Sequence, residues 1–127
     1  MLYTTYISNM RNIPKGAKIV LITRWAPKSL DLSKFDDAKW EPILAPADSL
    51  LAQYKNGTMS KVEMLDKYKE FLENNIMANE LILSLVQHIR QEKDVFLVCY
   101  EKDVYDCHRS VLAKYISDKY VIPWMEY

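Results

Sequence analysis

The densest chemistry in this chain lies in Cys107-His108-Arg109, with Cys99-Tyr100-Glu101 a few residues before it. A thiol at the start of a helix has its anion stabilised by the unpaired N–H groups of the first turn, and an adjacent arginine adds to that effect. Cys107 is therefore the candidate nucleophile, with His108 or Glu101 to move protons. Two plainer readings stand beside it. Cys99 also reads as an inert buried thiol at a strand end, and Cys107 as a small residue packed under a loop. Cys99, Cys107 and His108, with Asp106, are side chains that zinc accepts, but consecutive residues rarely point at one tetrahedral centre, so no metal site is assigned.

A second polar run, Arg24-Trp25-Ala26-Pro27-Lys28, follows an apolar tetrad, Ile19-Val20-Leu21-Ile22. In an open α/β sheet, ligands sit beyond the carboxyl ends of parallel strands. If the strands before these two runs are parallel neighbours, Arg24, Lys28, His108 and Arg109 surround one crevice at a helix N-terminus. Such a place suits an anion, because arginine forks match phosphate or carboxylate and the helix end is positive. Trp25 and Tyr100 offer rings to stack on a base. Cys99 closes the set of candidate ligand-binding residues. The competing reading pairs Arg109 with Glu101 or Asp106 and makes it a pin for the loop.

These residues need elements to hold them. Leu2–Ile7 reads as a strand, and so does Lys18–Thr23. The connection between them is short for a helical crossover, which leaves the first strand antiparallel to the second or apart from it. Residues 29–45 read as irregular, with Trp40 and Pro42 as anchors. A short helix is expected from Pro46 to Asn56, closed by Gly57. Ser60-Lys61-Val62-Glu63 matches a capping box, opening a helix whose inner face is Val62, Leu65, Tyr68, Leu72 and Ile76. After a break near Asn74-Asn75 or Asn79, a third helix carries Leu81, Ile82, Leu85, Val86 and Ile89. Asp94–Tyr100 is the clearest strand; a helix from about Cys107 to Lys119 and an edge strand at Tyr120–Trp124 follow. The expected fold is one compact α/β domain over residues 1–127, its small, mostly parallel sheet flanked by helices.

Scarcity removes whole classes of function. The 127 residues include two glycines, Gly16 and Gly57, so neither a dinucleotide fingerprint nor a P-loop is present. The two histidines, His88 and His108, are not spaced as HExxH, and two cysteines cannot build a four-cysteine zinc site. The 17 basic and 17 acidic side chains cancel, which argues against non-specific nucleic-acid binding. The balance is uneven along the chain: Arg11, Lys15, Lys18, Arg24 and Lys28 precede the first acid, Asp31. That segment is the part able to attract an anionic partner. No apolar run is long enough to cross a bilayer, and the first residues lack the pattern of a signal peptide. A cytoplasmic protein with free thiols is the resulting expectation.

The segments Ile22-Thr23-Arg24-Trp25-Ala26-Pro27 and Leu97-Val98-Cys99-Tyr100-Glu101-Lys102, with Cys107-His108-Arg109, resemble the domain-of-unknown-function 488 family. Leu44-Ala45-Pro46, Tyr54 and the helix around Tyr68 fit its small stand-alone members. The resemblance implies a compact α/β domain with the Cys-His-Arg block at a strand-to-helix turn. It also implies Arg24, Cys99, Glu101, Cys107, His108 and Arg109 as site residues, and it brings no activity with it. Some members carry an arginine- and glycine-rich segment after the early strand, where this chain has Arg24-Trp25-Ala26-Pro27-Lys28-Ser29. The leading expectation is binding of an anionic, nucleotide-like or phosphate-bearing small molecule at the strand exits. The alternatives are a small enzyme using Cys107 and His108 on such a ligand, and a tyrosine-rich interaction module, including a homodimer. No cofactor is assigned.

Overall fold

The computed structural model describes residues 1–100 and 107–127. Five strands form one sheet: β1 (Leu2–Tyr6), β2 (Lys18–Leu21), β3 (Ala38–Trp40), β4 (Val95–Cys99) and β5 (Trp124–Glu126). Their order across the sheet is β3-β2-β4-β1-β5, and every neighbouring pair is parallel. All five carboxyl ends therefore lie along one edge.

The first strand corrects the sequence expectation. β1 is neither antiparallel nor apart; it lies between β4 and β5, with Tyr6 opposite Cys99 and Leu2 opposite Trp124. The short β1–β2 connection is no obstacle, because these strands are not neighbours: β4 sits between them. A 3-10 helix, Ile7–Asn12, starts the return, and Ile7, Met10 and Ile13 pack on one sheet face as it crosses. β3 falls in the stretch expected to be irregular. It has only three residues, two of them exposed, and so carries no apolar run to announce it.

Alternation along the strands divides the core. Leu2, Val20, Ile22, Val95, Leu97 and Cys99 face the helices, while Ile19, Leu21, Phe96 and Val98 face the 3-10 segments and loops. β4 is buried along its whole length because it is covered on both faces. Four helices complete the fold: α1 (Asp48–Lys55), α2 (Lys61–Asn74), α3 (Ile76–Arg90) and α4 (His108–Tyr120). The capping box at Ser60 forms, its Oγ accepting from the Glu63 N–H at 3.1 Å. Asn75 both closes α2 and caps α3, accepting from the Ala78 N–H at 2.9 Å. Pro46 lies before α1 rather than at its first position; Ala47 is the N-cap. The buried stripe of α2 is Met64, Tyr68 and Leu72, whereas Val62 and Ile76 are exposed. No helix among the described residues is long and apolar enough to cross a membrane.

Candidate functional site

β2 and β4 are parallel neighbours, so their exits meet, as the two polar runs require. The Ile22 N–H donates to the Val98 carbonyl at 2.9 Å and holds the exits together one residue past β2. Beyond it, Thr23 Oγ1 donates to the Trp25 carbonyl at 2.8 Å, and Trp40 Nε1 donates to the Thr23 carbonyl at 2.7 Å. Trp40 is thus the anchor that its sequence position suggested. Arg24 donates from Nε to the Pro46 carbonyl at 3.0 Å and from Nη2 to the Ala45 carbonyl at 3.1 Å, tying the exit to the loop before α1.

The other wall is the start of α4. Cys107 is its N-cap residue, with extended backbone (φ −117°, ψ 146°), and His108 is the first helical residue. Because the backbone changes region between them, the two side chains escape helical phase and converge. His108 Nε2 donates to the Ile22 carbonyl, so in the neutral ring Nδ1 is the acceptor, and it lies 3.9 Å from Cys107 Sγ. Tyr68 meets the imidazole edge-on, 5.4 Å between ring centroids, and its hydroxyl donates to the Leu44 carbonyl. Burial pushes the His108 pKa down to about 4; the Ile22 carbonyl opposes that shift, and the cations of Arg109 and Arg24 reinforce it. The imidazole is neutral at pH 7. Burial likewise holds the Tyr68 phenol above its ordinary range, with Arg24 opposing, so it stays a hydroxyl.

Arg109 is completely buried. Its Nη2 reaches Glu126 Oε2 at 2.6 Å and its Nε reaches Oε1 at 3.2 Å, a two-pronged ion pair. Thr4 Oγ1 donates to the same Oε1 at 2.6 Å. Nη1 lies 3.3 Å from Cys99 Sγ. The expected loop-pinning partners were Glu101 or Asp106, which lie outside the described residues; the carboxylate that the structure adds is Glu126. Sequence alone could not supply it, since it depends on β5 pairing with β1 beside β4. The catalytic candidate Glu101 also lies outside the described residues.

The structure brings the sulfur atoms of Cys99 and Cys107 together, with their Cα atoms 7.0 Å apart. Both are buried. Trp25 and Tyr100 are about half exposed, at 51% and 52%, so each presents a ring face to solvent. Lys55 Nζ stands 5.1 Å from the Trp25 ring centroid. Lys28 is exposed. The structure therefore brings Cys99, Cys107, His108 and Arg109 into one cluster, places Arg24 beside it, and leaves Trp25, Lys28 and Tyr100 at the surface. Tyr68 and Glu126 are the residues that sequence reasoning misses as parts of the site; helical spacing puts Tyr68 on an inner face and the resemblance includes its helix, but neither makes it a site residue.

The family model described as the active DUF488-N3 subclade matches residues 2–120, a span holding all of these residues except Glu126. The chain belongs to the DUF488 family. No curated protein and no solved structure matches it. The family span runs from β1 to the end of α4, so this DUF488 domain includes both strand exits and the segment between β4 and α4.

Proposed function

We propose that this DUF488 domain binds a small phosphate- or carboxylate-bearing molecule at the exits of β2 and β4 and acts on it with the Cys107–His108 pair. One observation carries the reading: His108 is locked by the Ile22 carbonyl so that its acceptor nitrogen faces Cys107 Sγ. A base held beside a thiol at a helix N-terminus is the arrangement that activates a nucleophile. If the adjacent Cys99 and Cys107 sulfurs are bonded to each other, Cys107 is blocked until a dithiol reduces the pair.

The roles divide by burial. Arg109, enclosed and paired, keeps positive charge at Cys99 and fixes α4 against β5. Arg24, Lys28 and the first N–H groups of α4 are left to meet the anion, with Trp25 or Tyr100 stacking on any ring it carries.

The test uses phosphine-reduced protein in chelator. Cys107 is expected to alkylate at mildly acidic pH faster than in the unfolded chain, and to slow toward that control in His108→Ala. A panel of nucleotides, sugar phosphates and dicarboxylates is expected to contain a ligand that raises the melting temperature, an effect of about 2.7 kcal/mol at a hundredfold excess over Kd. Cys107 reacting no faster than the unfolded control, with no ligand raising the melting temperature, would overturn the reading.

A further inference from the structure

We infer that the reduced protein holds one thiophilic divalent cation, Zn2+ by chemistry, on Cys99, Cys107 and His108. The donor atoms of these three residues lie within 4.8 Å of one another. A tetrahedral zinc with bonds of about 2.3 Å to sulfur and about 2.0 Å to nitrogen spaces its ligand atoms roughly 3.5–3.8 Å apart. The Cys107 Sγ to His108 Nδ1 separation of 3.9 Å is already close to that. Opening the disulfide lets the two sulfurs move apart to the same spacing.

The surroundings suit a cation as well as the donors do. Metal-bound imidazoles usually donate their second ring nitrogen to a carbonyl or carboxylate, which fixes tautomer and ring angle. His108 does this through Nε2 and Ile22, leaving Nδ1 for the metal. Arg109 donates toward Cys99 Sγ, and its own charge is met by Glu126, so it does not confront the ion as a bare cation. Two thiolates balance the divalent charge and the imidazole adds none. The usual objection to consecutive ligands fails here because Cys107 is extended while His108 is helical. Sulfur donors exclude magnesium and calcium.

The steps balance. A dithiol passes two electrons and two protons to the Cys99–Cys107 bond, giving two thiols and the oxidised reductant. Zinc then binds both sulfurs and releases two protons. Three protein ligands leave one position open, as in zinc sites that bind a substrate oxygen. The inference rests on the ligand-binding part of that reading, naming an ion able to grip the anion, and replaces its thiol chemistry, since Nδ1 and Cys107 Sγ cannot hold the metal and act as base and nucleophile at once; it is tested separately.

Phosphine-reduced, metal-free protein is titrated anaerobically with Co2+, whose thiolate charge-transfer absorption reports sulfur ligation. One Co2+ per chain is expected, displaced by Zn2+, with affinity reduced at least tenfold in His108→Ala and in Cys107→Ser, and no uptake by the disulfide form. A wild-type measurement covers variants that fail to fold: Zn2+ is expected to slow alkylation of both cysteines at least tenfold. Absence of the absorption, no protection of wild-type cysteines, or undiminished affinity in folded His108→Ala would overturn the metal site. Rapid Cys107 alkylation in chelator together with no Co2+ uptake would sink the metal alone and leave the thiol reading standing.

Discussion

Arg24 and Arg109 stand at the exit of β2 and the entry of α4, within one site, and in sequence they look alike. The structure treats them in opposite ways. Arg24 is half-buried and donates to two backbone carbonyls, both neutral acceptors. Arg109, on α4, has no exposed surface and is matched by a carboxylate on β5. A guanidinium enclosed this deeply survives only when paired, because desolvating a lone charge costs several kcal/mol. On the proposed function the β2 exit is thus the side whose charge would meet a ligand, whereas the α4 entry uses its charge to tie α4 to β5.

The sharpest break of this contrast is Arg109→Met, which keeps much of the volume and strands Glu126. We expect a loss of about 3 kcal/mol in urea unfolding, the low end for a broken buried pair because Glu126 is partly exposed. Arg109→Met combined with Glu126→Gln is expected to recover part of that loss. Equal losses in the single and double variants would mean that packing, not charge, sets the role of Arg109.

Acid titration comes next in size. His108 titrates at about 4 in the folded protein against 6.5 for an ordinary imidazole. A depressed folded value contributes stability above pH 6.5 that is lost as the pH falls toward 4, because the unfolded chain binds the proton first. For the disulfide form without metal we expect about 2–3 kcal/mol lost across that window, partial exposure trimming the full linkage. His108→Asn is expected to flatten the slope there; a slope unchanged in that variant would assign it to carboxylates.

The smallest effect belongs to Arg24→Ala, with about 1 kcal/mol expected from two lost hydrogen bonds, because removing a half-buried side chain lets water in to the two carbonyls. Its larger consequence is expected in ligand affinity. A stability loss as great as that of Arg109→Met would erase the distinction between the two arginines.

Much of this site could be read from the sequence, and the missing parts share a cause. β2 and β4 are runs of apolar residues, and α4 has a periodic inner face, so the meeting of the β2 exit with the start of α4 was legible. Local signals end there. β3 is too short and too exposed at the sheet edge to carry a pattern. The place of β1 depends on which strand lies beside it, which no window of residues encodes. Glu126 becomes the partner of Arg109 only through the β1–β5 pairing, and Cys99 meets Cys107 only because an extended N-cap turns Cys107 toward it. Tyr68 repeats the lesson: helical periodicity marked it as core, while its edge contact with His108 follows from how α2 and α4 meet.

The position of β1 has a consequence for the order of events on the ribosome. The first strand made is flanked in the finished sheet by β4 and β5, so both its partners are synthesised last. At about 5–20 residues per second, the nascent segment waits roughly 5–20 s before β4 exists to receive it. A strand that must wait this long is an aggregation hazard if it is wholly apolar. Here its middle is Thr4-Thr5, fully buried at the end yet able to hydrogen-bond with water until then. When the chain closes, Thr4 finds the Glu126 carboxylate and Thr5 the Tyr127 carbonyl, so the hydroxyls that keep the waiting strand wetted become part of the lock that seals it.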